Sequence, residues 1–268
     1  MADLLAAHQG AACWATLFTH AHYLPGLAVL LQSMRACQTR YPLVVMVTET
    51  VDARTRERLA RMGCVLRDVD AWRVPHADGS LAFERFQNVW TKLRAFELYE
   101  YERVVMIDSD MLMCHNMDEL FDLPLERGMI AAAFACTCNP KQIPTYPAEW
   151  TPRNCGYALR PHPPNDARQL TKPTHRLINS GVVVLEPSQE QQDEIRTFIL
   201  RHTERVAQYR FPDQDLLADV YRDRIQMLPW YYNALKTLRQ CHPDLWNDGE
   251  VRICLLYTSD AADERSSV

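Results

Sequence analysis

The sequence predicts an α/β fold, a Rossmann-like parallel sheet with helices on both faces. Three observations predict it. Short β-prone runs alternate with stretches of helical spacing from the first residues onward. Several of the runs are apolar almost without interruption, as strands covered on both faces must be. The fourth run then breaks into charged residues at its carboxyl end, where open α/β sheets bind their ligands.

Taken in order, Cys13–Thr19 is an apolar strand ending in polar residues. Pro25 to Cys37 is a helix with Leu27, Leu30, Leu31 and Met34 on one face and Pro in its first turn. Leu43–Thr48 is a buried strand. Asp52 caps the following helix, which ends at Gly63, and Cys64–Val69 is the third strand. A helix over Asn88–Tyr99 leads to the fourth strand, Arg103–Ile107. The stretch from Cys136 to His175 holds eight of the sixteen prolines and has no periodicity, so it reads as a long irregular excursion. Regular structure resumes with a strand over Leu177–Leu185, a helix over Gln189–Gln208 and another over Asp213–Tyr221. The residues to inspect at the strand ends are therefore 18–22, 48–50, 70–72 and 108–110.

The 268 residues are 47% hydrophobic and 24% charged, enough for one large domain with a proper core. A net charge of −5 argues against nucleic acid or an anionic membrane as partner. A protein this acidic that binds a phosphorylated ligand must supply positive charge locally. The first residues carry no basic segment, and the apolar run Leu24–Leu31 is broken by Pro25 and Gly26, so neither a signal peptide nor a membrane anchor is expected. Nine scattered cysteines without a CxxC pair read as reduced thiols in a cytoplasmic protein, and Cys136 and Cys138 as inert ones.

The strongest local signal is Val104-Val-Met-Ile-Asp108-Ser-Asp110-Met-Leu-Met113. In an extended segment residues i and i+2 face the same side, so Asp108 and Asp110 can reach one hard divalent cation. The competing reading is a turn with capping side chains. Lys92 lies on the helix that feeds this strand, placed either to meet a phosphate as a point charge or to face solvent. Asn179-Ser-Gly181 interrupts an apolar strand, which marks close backbone approach to a ligand or a neighbouring strand. Asp213-Gln-Asp215 opens a helix, where Asp213 can simply cap it. His20 and His22 lack the spacing of a metal site, and Trp230-Tyr-Tyr232 reads as packing or a pocket wall.

In order along the chain, Leu17-Phe-Thr-His-Ala-His-Tyr23, Trp90-Thr-Lys-Leu93, Val105-Met-Ile-Asp-Ser-Asp-Met111, Met117-Asp-Glu-Leu-Phe121, Asn179-Ser-Gly-Val182, Glu186-Pro187 and Asp213-Gln-Asp215 resemble glycosyltransferase family eight. The resemblance runs from about Cys13 to Ile253, and the middle segment resembles the galactinol-synthase-like branch. It implies a GT-A fold with a mixed, mainly parallel sheet, a UDP-sugar donor, Mn²⁺, and transfer of a hexose with retention of configuration. Asp108 and Asp110 match the family's metal ligands. Thr19 and Tyr23 match residues around the uracil, Lys92 the phosphate-side lysine, and Asn179 and Ser180 donor- or acceptor-sugar contacts, while Leu17, Asn88, Ser109 and Gly181 complete the expected donor site. Ser109 departs from the alanine frequent there. Asp213 and Gln214 match the catalytic pair at the reacting sugar. The implied partners are the donor, a small polyol or glycan acceptor (inositol in the galactinol branch), and a second copy of the chain as a homodimer.

Two departures bear on activity. The family pattern continues past Ile253 with a histidine as third metal ligand, where this chain has Cys254. Residues 254–268 read like a translated sequencing adapter, so 1–253 is expected to be one incomplete GT-A domain and the remainder a non-native tail. Such a chain is expected to bind Mn²⁺–UDP weakly. The alternatives are a catalytically silent scaffold that keeps the fold, and a self-glucosylating primer of the glycogenin kind.

Overall fold

The computed structural model describes residues 12–74, 81, 84–159 and 164–256, with the side chains of residues 84–88 outside that description. Seven strands form the main sheet: β1 (Ala12–Phe18), β2 (Leu43–Val47), β3 (Val65–Asp68), β4 (Arg103–Ile107), β6 (Ile130–Phe134), β7 (Ile178–Leu185) and β8 (Ile225–Leu228). Their order is β3-β2-β1-β4-β7-β6-β8. Only β7 runs against its neighbours β4 and β6, while the other adjacent pairs are parallel. A two-stranded antiparallel ribbon, β5 (Met111–Met113) with β9 (Ile253–Leu255), extends from the end of β4.

The period-two geometry of strands sorts alternate residues to opposite faces. Ala12 and Trp14 belong to one core layer and Cys13 and Ala15 to the other. Val105 and Ile107 part from Val104 and Met106 in the same way. One layer is covered by α1 (Leu24–Ala36) and α2 (Ala53–Arg61), which contribute Leu27, Leu30, Met34 and Leu59. The other is covered by α3 (Gln189–Arg201), α5 (Pro212–Val220) and residues Glu84–Glu97, through Ile195, Leu216, Trp90 and Phe96.

Asp52 caps α2 as expected, accepting from Thr55 N at 2.9 Å. Elsewhere the structure differs from the expectation. Glu84–Glu97 winds as a 3₁₀ helix rather than an α-helix. The helical stretch predicted through Gln208 breaks at His202, separating α3 from α4 (Thr203–Val206). β6, β8 and α6 (Lys236–Cys241) were not foreseen. Among the described residues no helix is long and apolar enough to cross a membrane.

Trp14 ties β1 to the rest of its layer. It is fully buried, meets Phe121 edge-on at 4.9 Å, and donates from Nε1 to Thr39 Oγ1 at 2.8 Å. Thr39 passes the interaction on to Asp118 Oδ1 at 2.5 Å. Trp14→Ala removes the buried ring and its hydrogen bond to Thr39, so a loss of about 3–5 kcal/mol is expected. Urea unfolding checks this through a lowered midpoint at unchanged slope.

Candidate active site

Because β7 is antiparallel to β4, its first residues lie beside the last residues of β4. Asp108 N donates to Gly181 O at 3.1 Å. A methyl group on Gly181 would meet Asn179 Oδ1 at 2.9 Å and Asn233 Oδ1 at 3.0 Å, so a side chain here would displace the two asparagine amides. A cavity of about 340 Å³ opens at this end of the sheet. It is lined by Leu17 near the end of β1 and Thr19 and Tyr23 after it, by Lys92, by Asp108, Ser109 and Asp110 after β4, by Asn179 and Ser180 on β7, and by Asp213 and Gln214 on α5. These residues come from five separate parts of the sequence and meet on one wall. Gly181 stands behind that wall, and the side chain of Asn88 lies outside the described residues.

Lys92 is the hub. Its Nζ lies 2.5 Å from Asp108 Oδ1, 2.6 Å from Ser180 O and 3.6 Å from Asp213 Oδ2. The side chain is only 7% exposed. Burial disfavours the ammonium, but Asp108, Asp213 and Asp110 outweigh it and hold its pKa above the ordinary lysine value. Ser180 Oγ donates to the same Asp213 Oδ2 at 2.8 Å. Asn179 Nδ2 donates to Gln214 Oε1 at 3.2 Å, and Asn233 Nδ2 holds Asn179 Oδ1 at 2.8 Å. Asn233, 1% exposed, is a supporting residue that the sequence reading missed. Its only signal was its place after Trp230-Tyr-Tyr232.

The capping role considered for Asp213 falls to Asp215. Its Oδ2 accepts from Phe211 N at 2.9 Å and Arg210 N at 3.0 Å, which leaves Asp213 free to face the cavity. Burial raises the Asp215 carboxyl to about 7 against the pull of those two N–H groups. A raised carboxyl favours the folded state below the ordinary value of 3.8, and that contribution is lost as pH rises toward 7.

Gly26 was another residue missed. A methyl group there would lie 3.3 Å from both Cα and Cβ of Asp110, so the first turn of α1 sets the Asp108–Asp110 turn in place. The motifs around Met117–Phe121 and Glu186 hold the fold instead. Asp118 accepts from Thr39 and Arg40, and Glu186 pairs with Arg103 at 2.6 Å. On β9 it is Leu255, not Cys254, that lines the cavity, while Leu256 N donates to Asp110 O at 2.8 Å. Cys254 instead interacts with Cys114. The expectation that residue 254 occupies the third ligand position is corrected by this register: a ligand reaching Asp108 and Asp110 from β9 would stand at 255.

Among the described residues that line the cavity, Asp108, Asp110 and Asp213 are the carboxylates and Lys92 the one lysine or arginine. That donor set fits a hard divalent cation.

A family model, glycosyl transferase family 8, matches residues 16–251. The chain belongs to that family. It is 28% identical over 225 residues to galactinol synthase 2 of Solanum lycopersicum, covering 83% of this chain and 63% of that protein. To galactinol synthase 1 of Arabidopsis thaliana it is 25% identical over 233 residues, covering 86% and 64%. The chain thus spans a little under two thirds of the length of these relatives. The fold is similar to that of the galactosyltransferase LgtC bound to donor and acceptor sugar analogues, with a TM-score of 0.59 and 14% identity over 90% of this chain and 86% of that one. The bifunctional glycosyltransferase WbbM is also similar, with a TM-score of 0.63 and 17% identity over 92% and 46%. The main sheet is accordingly a GT-A fold, mixed but mainly parallel.

Lys92→Met leaves Asp108 and Asp213 facing each other without their cation. Breaking such a pair costs about 3 kcal/mol at neutral pH, near the lower end of the buried range because Asp108 is one-third exposed. With its raised pKa, Lys92 stabilises the fold fully below pH 10.5, and the contribution fades only as pH rises through the higher folded value. The deficit of the variant is therefore expected at neutral pH and should shrink only in alkali, as the wild-type ammonium loses its proton. Unfolding midpoints across pH check this.

Proposed function

We propose that this chain transfers a hexose from a UDP-sugar to a hydroxyl acceptor with retention of anomeric configuration, using Mn²⁺. The observation that carries the reading is the convergence of Asp108, Asp110, Lys92, Asp213 and Gln214 on one acid-rich cavity. A nucleoside diphosphate is itself an anion, so it can approach such a wall only with a divalent cation. Held by Asp108 and Asp110, the cation would supply Lewis-acid stabilisation of the departing diphosphate.

The chain's own residues do the rest. Leu17, Thr19 and Tyr23 form the wall for the uracil, with Thr19 O fixed by Thr50 Oγ1 at 2.6 Å. Asn179 and Ser180 present polar groups to the sugar while orienting Gln214 and Asp213. Asp213, restrained by Ser180 and Lys92, is the carboxylate beside the reacting sugar, and Gln214 supplies the neighbouring amide. Lys92 acts as a positioning residue, since its ammonium is already taken up by Asp108 and Ser180 O. Tyr146, Trp150 and Phe211 form an aromatic side of the cavity, Trp150 stacking on Phe211 at 4.9 Å. Such faces suit the apolar side of a sugar or polyol ring, and this is where the acceptor is assigned. The galactinol synthases among the relatives make galactose and inositol the first pair to test. The nine free cysteines agree with a reducing, cytoplasmic setting.

Calorimetric titration with UDP is expected to show binding with Mn²⁺ and none with EDTA, and Asp108→Asn should weaken it by at least about tenfold. Release of UDP from UDP-galactose in the presence of inositol should be lost in Asp213→Asn at unchanged UDP affinity. Mn²⁺-independent UDP binding, unaffected by Asp108→Asn, would overturn the assignment.

A further inference from the structure

The irregular excursion between β6 and β7 holds Cys136 and Cys138, expected to be inert thiols, and the structure gathers them with two further potential ligands. Cys136 and Cys138 follow β6, Cys155 lies between two 3₁₀ turns, and His242 caps the carboxyl end of α6. Their ligand atoms all lie within 4.8 Å of one another, with Cys138 Sγ 3.1 Å from His242 Nε2. Each of the four residues is 7% exposed or less. A disulfide between any two would strand the third thiol, and it gives the imidazole nothing to bind.

We infer that Cys136, Cys138, Cys155 and His242 bind a structural zinc ion. Three thiolates and one imidazole make a closed four-ligand set, and their softness selects zinc over the hard cation suited to Asp108 and Asp110. Zinc–sulfur bonds of about 2.3 Å and zinc–nitrogen bonds of about 2.0 Å put tetrahedral ligand atoms about 3.5–3.8 Å apart. The cluster's ligand atoms, all within 4.8 Å of one another, are close to that spacing. On binding, each thiol loses its proton to solvent, so the site gains the ion and releases three protons. Local shape supports the assignment independently. A methyl group on Gly156 would lie 2.8 Å from the Phe134 ring, so glycine is needed beside Cys155 for this loop to close on the end of β6. Tyr157 then donates to Phe134 O at 3.0 Å.

The ion would staple the excursion to the body of the domain. The stapled loop carries Tyr146 and Trp150, which pack on Phe211 just before Asp213 and Gln214. The zinc site thereby supports the aromatic side of the cavity without touching the reacting groups.

Elemental analysis of the purified full chain tests this whether or not transferase activity is found. One equivalent of zinc is expected, retained by Cys114→Ser, whose thiol is exposed and remote from the cluster, and lost from Cys155→Ser and His242→Ala. Because those variants alter buried side chains, the wild-type chain is also stripped of metal and reloaded with cobalt(II). Thiolate-to-cobalt charge-transfer absorption with a tetrahedral ligand-field spectrum is the expected result, and the melting temperature lost on chelation should return with zinc but not with Mn²⁺. A chain purified without zinc whose cobalt spectrum lacks thiolate bands would overturn the proposal, as would a disulfide within the cluster found by mass analysis of the unreduced protein.

Discussion

The buried ammonium of Lys92 is the interaction on which the site depends. It reaches the end of β4 through Asp108, the start of β7 through the Ser180 carbonyl, and the first turn of α5 through Asp213. Three elements distant in sequence are thus held by one charge. A neutral side chain could fill the space but could not offset two carboxylates in a setting where solvent screens them poorly. The 3₁₀ stretch that carries Lys92 is itself anchored, with Trp90 and Leu93 fully buried and Arg94 paired with Glu97 at 2.7 Å.

The topology explains why those elements meet. The reversed strand β7 brings Asn179 and Ser180 to the carboxyl end of β4, and α5 packs across β7 with Asp213 and Gln214 at its start. In a wholly parallel sheet the amino end of β7 would lie on the opposite edge. The resulting wall has more acid than base, so it suits a cation and repels an unaccompanied diphosphate. Opposite it lies an aromatic surface on the irregular excursion, whose shape rests on the Cys136–Cys138–Cys155–His242 cluster. Hard oxygen donors and soft sulfur donors are therefore segregated to two places in one small domain, and each can select its own ion.

Much of this was legible in the sequence. β1, β2, β4 and β7 stood out as apolar runs because both of their faces are covered. Asp108-Ser-Asp110 and Asp213-Gln214 broke the pattern at element ends, where ligand chemistry is placed. Other parts were hidden for physical reasons. β6 reads Ile130-Ala-Ala-Ala-Phe134, and alanine carries little strand preference, so the sheet neighbours define it. The 3₁₀ winding of Glu84–Glu97 depends on tertiary anchors that helical periodicity does not report. Asn233 and Gly26 matter through contacts with residues far along the chain. The cysteine cluster escaped for the same reason: zinc spacing rules look for ligand pairs close in sequence, whereas Cys155 and His242 approach Cys136 and Cys138 only once the sheet and α6 are in place.

The central claim is that Lys92 and the carboxylates around it act as one unit, and a double-mutant cycle measures that directly. Unfolding free energies would be compared for the wild type, Lys92→Met, Asp213→Asn and the double variant at neutral pH. The double variant is expected to be more stable than the sum of the single losses implies, by a coupling of about 1–3 kcal/mol, because Asp213→Asn removes one of the two carboxylates that Lys92→Met leaves without their cation. Additive losses would contradict it and reduce Lys92 to a neighbour of the site.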